Sequence, residues 1–275
     1  MAKKILILLF ASIMIFSLIL SGCGGSEAVE ETAGEEVIEE EAAEEAVEEE
    51  AVEEKAEVIE GEALEIQEGK VTFTTADDIV ISGNLFGTGK KWVILTHKLQ
   101  TDQRSWFDFA DILVENGYTA LTYDIRGIGR SGGSMYNKEE GIANSYMDLE
   151  AAIAFARQHN PEKIFLMGSV TGGTQSLKVA SKEPVDGVIS ISGPEEFGSL
   201  SVIDEIGDVT PPKLFIASSD DKSAAESANN LYANSLEPKD IKILEGGGHG
   251  LSVLKNEPEN GVTVEQIILD FLNNN

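Results

Sequence analysis

Lys163-Ile164-Phe165-Leu166-Met167-Gly168-Ser169-Val170-Thr171-Gly172-Gly173 is a short apolar run that breaks at once into a glycine-flanked bend. The run from Lys163 to Met167 is too short for a helix and rich in residues that favour strands, and it predicts a buried β-strand. From Gly173 to Ala180 the pattern turns helical. Strand, sharp turn and helix therefore follow one another within 18 residues. Outward from this unit the same alternation repeats. Strands are predicted at Trp92 to Leu95, Thr119 to Tyr123, Val188 to Ile191, Leu214 to Ala217 and Ile241 to Leu244. Helices are predicted at Trp106 to Glu115, Met147 to Gln158, Ala224 to Ala233 and Val262 to Leu272. Ahead of them, Val71 to Thr74 and Ile79 to Phe86 read as two strands joined by a short Asp-containing turn, an N-terminal hairpin. The predicted fold class is α/β: a mostly parallel sheet with helices on both faces. In such sheets a ligand site lies beyond the carboxyl ends of the strands.

The 275-residue chain carries a formal net charge of -29, spread very unevenly. Glu27 to Glu68 holds 20 Glu and one Lys, whereas residues 69–275 carry -12. With no basic surface to grip phosphates, nucleic acid is not an expected partner. In the acidic stretch the charged i,i+4 neighbours are nearly all Glu with Glu, which repel. Its apolar pairs step by five, four and five residues and give no single helical stripe. It reads as a disordered or weakly helical tether, extended by its own charge. A stalk and a cation binder are functional readings of the same pattern; a plain solvated spacer is the simpler one.

Lys3 and Lys4 precede an apolar run from Ile5 to Leu20, and small residues follow: Ser21, Gly22, Cys23, Gly24 and Gly25. This is a secretory leader pattern. Cys23 is the one cysteine of the chain, so the fold must stand without an internal disulfide. Leu20-Ser21-Gly22-Cys23 resembles the bacterial lipobox. That resemblance implies lipidation of Cys23, cleavage before it, and attachment to the outer face of a bacterial membrane. The predicted organisation is a signal peptide over 1–22, lipidated Cys23 plus acidic tether over 23–68, and one folded domain over 69–275.

KWVILTHKLQTDQRSW (91–106), ENGYTALTYDIRGIGRSGG (115–133), DLEAAIAFARQHNPEKIFLMGSVTGG (148–173), PPKLFIASSDD (211–221) and ILEGGGHG (243–250) stand in an order and spacing that resemble the α/β-hydrolase superfamily. The likeness is greatest to its small, lidless esterase and dienelactone-hydrolase-like branch. It implies carboxylic-ester hydrolase chemistry with no cofactor and no metal. It also implies a site made of a nucleophile on a strand-to-helix elbow, a histidine base, an orienting acid and backbone oxyanion donors. By carry-over the histidine is His249. The acid is Asp221, with Asp220 as its rival, and both also suit a turn before the next helix. The oxyanion donors are the N–H groups of Lys98 or Leu99 with that of Thr171. The nucleophile slot of the G-x-nucleophile-x-G pattern falls on Val170, which cannot attack a carbonyl. Ser169 and Thr171 flank the slot as alternatives. Gly129-Arg130-Ser131-Gly132-Gly133 also spells G-x-S-x-G, but it lacks the strand–turn–helix setting and reads as a structural loop. His97 ends a strand before the oxyanion loop, and His159 is placed in a solvated helix-end loop. Three functions stay open: an impaired hydrolase fold that binds a small acyl or aromatic ligand, an active esterase with a displaced nucleophile, and a surface scaffold.

Overall fold

The computed structural model describes residues 65–135, 138–256 and 261–275. The chain divides into two units, Met1–Val58 and Ile59–Asn275. All described residues belong to the second. The leader, Cys23 and all but the last few residues of the acidic tether lie outside the described residues. The folded part has begun by the tether's end: Ile66 packs against the core, and a Glu68 carboxylate oxygen accepts from the Gly87 N–H at 2.7 Å.

The predicted hairpin is β1 (Gly69–Thr74) paired antiparallel with β2 (Val80–Phe86). Its turn is closed by Thr75, whose hydroxyl accepts from the Ile79 N–H and donates to Asp77. Then come β3 (Lys91–Thr96), α1 (Phe107–Glu115), β4 (Tyr118–Tyr123), α2 (Lys138–Ala143), α3 (Tyr146–Arg157), β5 (Lys163–Ser169), α4 (Thr171–Ala180) and β6 (Gly187–Ile191). A small hairpin of β7 (Glu196–Phe197) and β8 (Leu200–Ser201) follows. The chain ends with β9 (Lys213–Ser218), α5 (Lys222–Asn234), β10 (Lys239–Leu244) and α6 (Val264–Asn274). The main sheet has eight strands in the order β1-β2-β4-β3-β5-β6-β9-β10. Every pair from β4 through β10 is parallel; β1 and β2 are the antiparallel edge.

Both faces of the sheet are covered, and the strand sequences show why. Along β3, Trp92 and Ile94 enter one core while Val93 and Leu95 enter the other. Along β5, Ile164 and Leu166 alternate in the same way with Phe165 and Met167. Alternate residues of a strand point to opposite faces, so a strand buried twice must be apolar throughout. Helices α3, α4 and α5 seal the first core through Leu149, Ile153, Leu177 and Leu231. Helices α1 and α6 seal the second through Phe109, Leu113, Ile268 and Leu272. The helix after β3 thus lies on one face and the helix after β5 on the other. The two neighbouring strands diverge at their carboxyl ends, and a crevice opens between the loops that leave them.

Two elements were not foreseen. Helix α2 and the β7–β8 hairpin fill stretches read as loop. The connection from β6 to β9 holds that hairpin and a single helical turn at Ile206–Asp208, with no separate cap domain.

A buried charge cluster ties the antiparallel edge to the rest. Arg126 follows β4 and its guanidinium bonds both Asp148 on α3 and Asp77 in the first hairpin turn. The Asp148 side chain is 0% exposed. Burial pushes its carboxyl up to about 6, against the pull of Arg126. Asp77 reaches solvent, and its bond to Arg126 holds it below the ordinary carboxylate range. Removing the cation strands a buried carboxylate, so Arg126→Met should cost about 3–5 kcal/mol at neutral pH, read by chemical denaturation. A raised carboxyl pKa contributes stability that is full below the ordinary value near 4 and is lost as pH rises through 6. The stability of wild type relative to Asp148→Asn should therefore fall by up to about 3 kcal/mol between pH 4 and pH 7, and a flat difference would contradict this origin.

Candidate active site

The bend after β5 has the predicted form. Val170 sits at φ 53, ψ -118 between the end of β5 and the first residue of α4. Its N–H donates to the Ile191 carbonyl at 2.8 Å, and its own carbonyl accepts from Gly173 and Thr174. A β-branched residue at positive φ is strained, at a cost of about 1–3 kcal/mol that its surroundings must impose. The flanking glycines supply that surrounding pressure. A Cβ on Gly168 would lie 2.1 Å from the Gly172 carbonyl oxygen, and one on Gly172 would lie 2.2 Å from the Thr96 carbonyl oxygen. Helix α4 can start this close to β5 and β3 only because both positions lack a side chain.

His249 and Asp221 come together from distant parts of the sequence. Asp221 ends the loop after β9 and caps α5: one carboxylate oxygen accepts from the Ala224 N–H at 3.2 Å. The other meets His249 Nδ1 at 2.6 Å. The capping and orienting roles that the sequence offered as alternatives are thus held by the same side chain. Asp220 points elsewhere; it is exposed, and its N–H donates to the Gly246 carbonyl. His249 caps a helical turn over Gly250–Lys255. Its N–H donates to the Ser252 hydroxyl at 2.7 Å, and that hydroxyl donates back to the His249 carbonyl at 2.9 Å. A carboxylate at Nδ1 makes that nitrogen the N–H bearer of a neutral ring and leaves Nε2 with its lone pair. The imidazole is half exposed (51%), and among the described residues nothing bonds Nε2.

Val170 stands beside this pair. One of its methyls lies 3.0 Å from where a Cβ on Gly250 would be, so hydrocarbon is packed against the backbone next to His249. The two flanking hydroxyls are not presented to the imidazole. Thr171 Oγ1 accepts from the Leu99 N–H at 3.0 Å, and Ser169, the last residue of β5, is 2% exposed. Among the described residues no hydrogen bond joins either of them to His249. Of the oxyanion donors carried over, the Leu99 N–H is therefore engaged by Thr171. The Thr171 N–H belongs to the first turn of α4, where no intrahelical acceptor exists.

The loop bearing Lys98 and Leu99 is held by His97, whose part the sequence did not disclose. His97 is fully buried. Its Nδ1 donates to the Lys98 carbonyl at 2.8 Å, and its Nε2 accepts from the Ile125 N–H at 3.1 Å. Those two bonds fix a neutral ring, and burial pushes its pKa down. The Lys98 carbonyl also accepts from the Thr101 hydroxyl and N–H. His159 differs from expectation: it is 6% exposed, with ring centroids 5.2 Å from Trp92 and 4.8 Å from Phe155. Its Nδ1 bonds the Phe155 carbonyl, so the polar loop is tucked under two aromatic rings. Ser131 of the second G-x-S-x-G string donates to the Asp124 carbonyl and accepts from the Ser82 N–H. Its glycines at 129 and 133, and Gly127 just before it, adopt positive φ, as a loop requires. Ser252 supports His249 from three residues beyond the cap position, a hydroxyl placement that a sequence can signal.

A mostly parallel, doubly covered sheet with an elbow after β5 and a His–Asp pair after β10 and β9 defines an α/β hydrolase. The chain has the α/β-hydrolase fold. Residues 87–195 match the family model described as serine aminopeptidase, S33; that span includes the elbow and ends before Asp221 and His249. Among solved structures, the α/β hydrolase GrgF from Penicillium sp. sh18 is similar at 21% identity and TM-score 0.63, covering 76% of this chain and 99% of that one. An esterase from Pyrococcus furiosus is similar at 17% identity and TM-score 0.63, covering 76% and 90%. An esterase from Exiguobacterium antarcticum gives 14% identity and TM-score 0.62, covering 74% and 99%. At these identities the structures establish the fold. A sequence comparison with curated proteins gives no match.

The strain at residue 170 is open to measurement. Glycine adopts positive φ without penalty, so Val170→Gly should leave the domain as stable as wild type or up to about 1 kcal/mol more stable, despite the loss of a partly buried side chain. A clear fall in denaturation midpoint would show that the bend is not under strain.

Proposed function

We propose that this protein is an ester-hydrolase-class α/β fold impaired in catalysis, and that its cleft binds a small acyl or aromatic ligand without turning it over. The observation that carries the reading is Val170 at the elbow beside an assembled His249–Asp221 pair. In a serine hydrolase the histidine takes a proton from the nucleophile's hydroxyl, and the acid orients the ring. Here the ring is oriented and there is no proton to take. Loss of the nucleophile alone can lower such a reaction about a millionfold. The engagement of the Leu99 N–H by Thr171 removes a second element, a donor for the tetrahedral oxyanion.

Use of Ser169 or Thr171 with His249 and Asp221 as a displaced catalytic set is the weaker reading, because one hydroxyl is buried in β5 and the other is held by Leu99. A pure scaffold is weaker too, since it gives no reason for a histidine so carefully fixed. In the cell the domain is proposed to stand on the outer face of a bacterial membrane. Its attachment is lipid on Cys23, and the acidic stretch up to Glu68 is the spacer.

A fluorophosphonate probe should leave the wild-type protein unlabelled; labelling that disappears in Ser169→Ala or Thr171→Val would overturn the impaired reading. Val170→Ser should gain measurable cleavage of a p-nitrophenyl ester. Adding Thr171→Ala to it should raise kcat at least about tenfold by freeing the Leu99 donor. For the anchor, Cys23→Ala should move the protein from the membrane to the soluble fraction and abolish incorporation of an alkyne-tagged fatty acid.

A further inference from the structure

A cavity of about 390 Å³ lies at the carboxyl end of β4, lined among others by Lys70, Asn84, Gln103, Phe107, Asp124 and Arg130. It is separate from the elbow and from His249, none of whose residues line it. The loop that carries Leu99 continues through Asp102 and Arg104 into its wall.

The charges in this wall are not equivalent. Asp102 is fully taken by Arg104, whose guanidinium bonds both of its oxygens. Asp124 is buried and spends its carboxylate on the backbone, accepting from the Gln103 N–H at 3.0 Å and the Arg130 N–H at 3.1 Å. The side chains of Lys70 and Arg130 have neither an ion pair nor a hydrogen bond among the described residues. Lys70, Arg104 and Arg130 outnumber Asp102 and Asp124, so this wall carries a formal charge of +1, in a domain whose formal charge is -12. Between such cations the local potential is positive even though the protein repels anions at long range.

The floor is polar and fixed. Gln103 Oε1 accepts from Asn84 Nδ2 at 2.7 Å and from the Thr122 hydroxyl at 3.0 Å. Its amide nitrogen reaches the Ser82 carbonyl at 3.3 Å. Asn84 keeps its side-chain Oδ1 and the second N–H of its amide unengaged among the described residues. Phe107 supplies a flat apolar wall, held edge-on against Phe86 at 5.0 Å between centroids. A few placed polar groups beside an apolar wall are the usual make-up of a small-molecule site.

We propose that this cavity is a second binding site, for a small organic anion whose carboxylate or phosphate lies between Lys70 and Arg130 and whose flat apolar part lies on Phe107. The site does not rest on the reading of the elbow. A ligand here and a ligand beside His249 are separate events.

The test is calorimetric titration of the full chain with phenyl phosphate, benzoate, inorganic phosphate and benzamidine. At least one of the two aromatic anions should bind more tightly than about 1 mM, and benzamidine, which has the same ring with a positive charge, should not bind. Phenyl phosphate without benzoate, or the reverse, supports the site and names its anion. Inorganic phosphate should bind at least about tenfold more weakly than phenyl phosphate if Phe107 contributes. Lys70→Gln and Arg130→Gln change exposed side chains and leave the Arg130 N–H in place, so folding is preserved. Each should weaken the aromatic anion about tenfold, the worth of one hydrogen bond to a charged group. Val170→Ser should bind it as wild type does. Absence of binding by both aromatic anions up to about 10 mM, or affinities unchanged in both Gln variants, overturns the proposal.

Discussion

The close approach of α4 to β5 and β3 is the constraint from which the rest of the site follows. Two glycines, Gly168 and Gly172, bring backbone against backbone at distances no Cβ would survive. With that packing fixed, residue 170 has nowhere to go but positive φ, whatever its side chain. A valine held in this conformation is stiff at χ1 and cannot relax by turning. The consequence is chemical as well as mechanical. The slot that presents a side chain to the crevice presents methyl groups, and the first turn of α4 still opens its N–H groups at the same place.

The histidine and the acid do not depend on that slot. Asp221 is positioned by the start of α5, and His249 by the helical turn at Gly250–Lys255 through Ser252. Neither anchor passes through α4. The pair is therefore assembled whatever residue faces it, which explains how a valine at the elbow and an ordered His249–Asp221 pair coexist. The loop of Lys98 and Leu99 has its own anchor in the buried, neutral His97. Among the described residues the hydrogen bond from this loop to the elbow is that of the Leu99 N–H to Thr171, and it uses the donor that an oxyanion would need. Three structural units meet at the crevice, each fixed by local bonds of its own.

Most of the fold was legible because its strands are buried on two faces. Runs such as Trp92 to Leu95 and Ile164 to Met167 are apolar at every position, and only a covered parallel sheet tolerates that. The ends of these observed strands and helices lie within a few residues of the predicted ones. Helix α2 was not legible, since Lys138–Ala143 is a single polar-rich turn and a half without an apolar stripe. Nor was the β7–β8 hairpin, whose two-residue strands are too short to display a period. His159 was misplaced for a different reason. Its sequence neighbours Gln158, Asn160 and Glu162 are polar, whereas one of the two rings packed against it, Trp92, arrives from 67 positions away.

By itself the sequence determined the α/β architecture, the glycine-flanked elbow, the valine in its slot, and the identities of His249 and Asp221 as candidate partners. Those features are written in short-range pattern: periodicity, glycine spacing and the type of residue at a strand end. Tertiary structure decided the rest. It chose Asp221 over Asp220, turned Thr171 toward Leu99, gave His97 its fixed tautomer, and set Lys70 and Arg130 around one cavity. Each of these depends on which atoms of remote segments lie within about 3 Å of one another. That is settled by how the sheet and helices pack, and no local reading of the chain contains it.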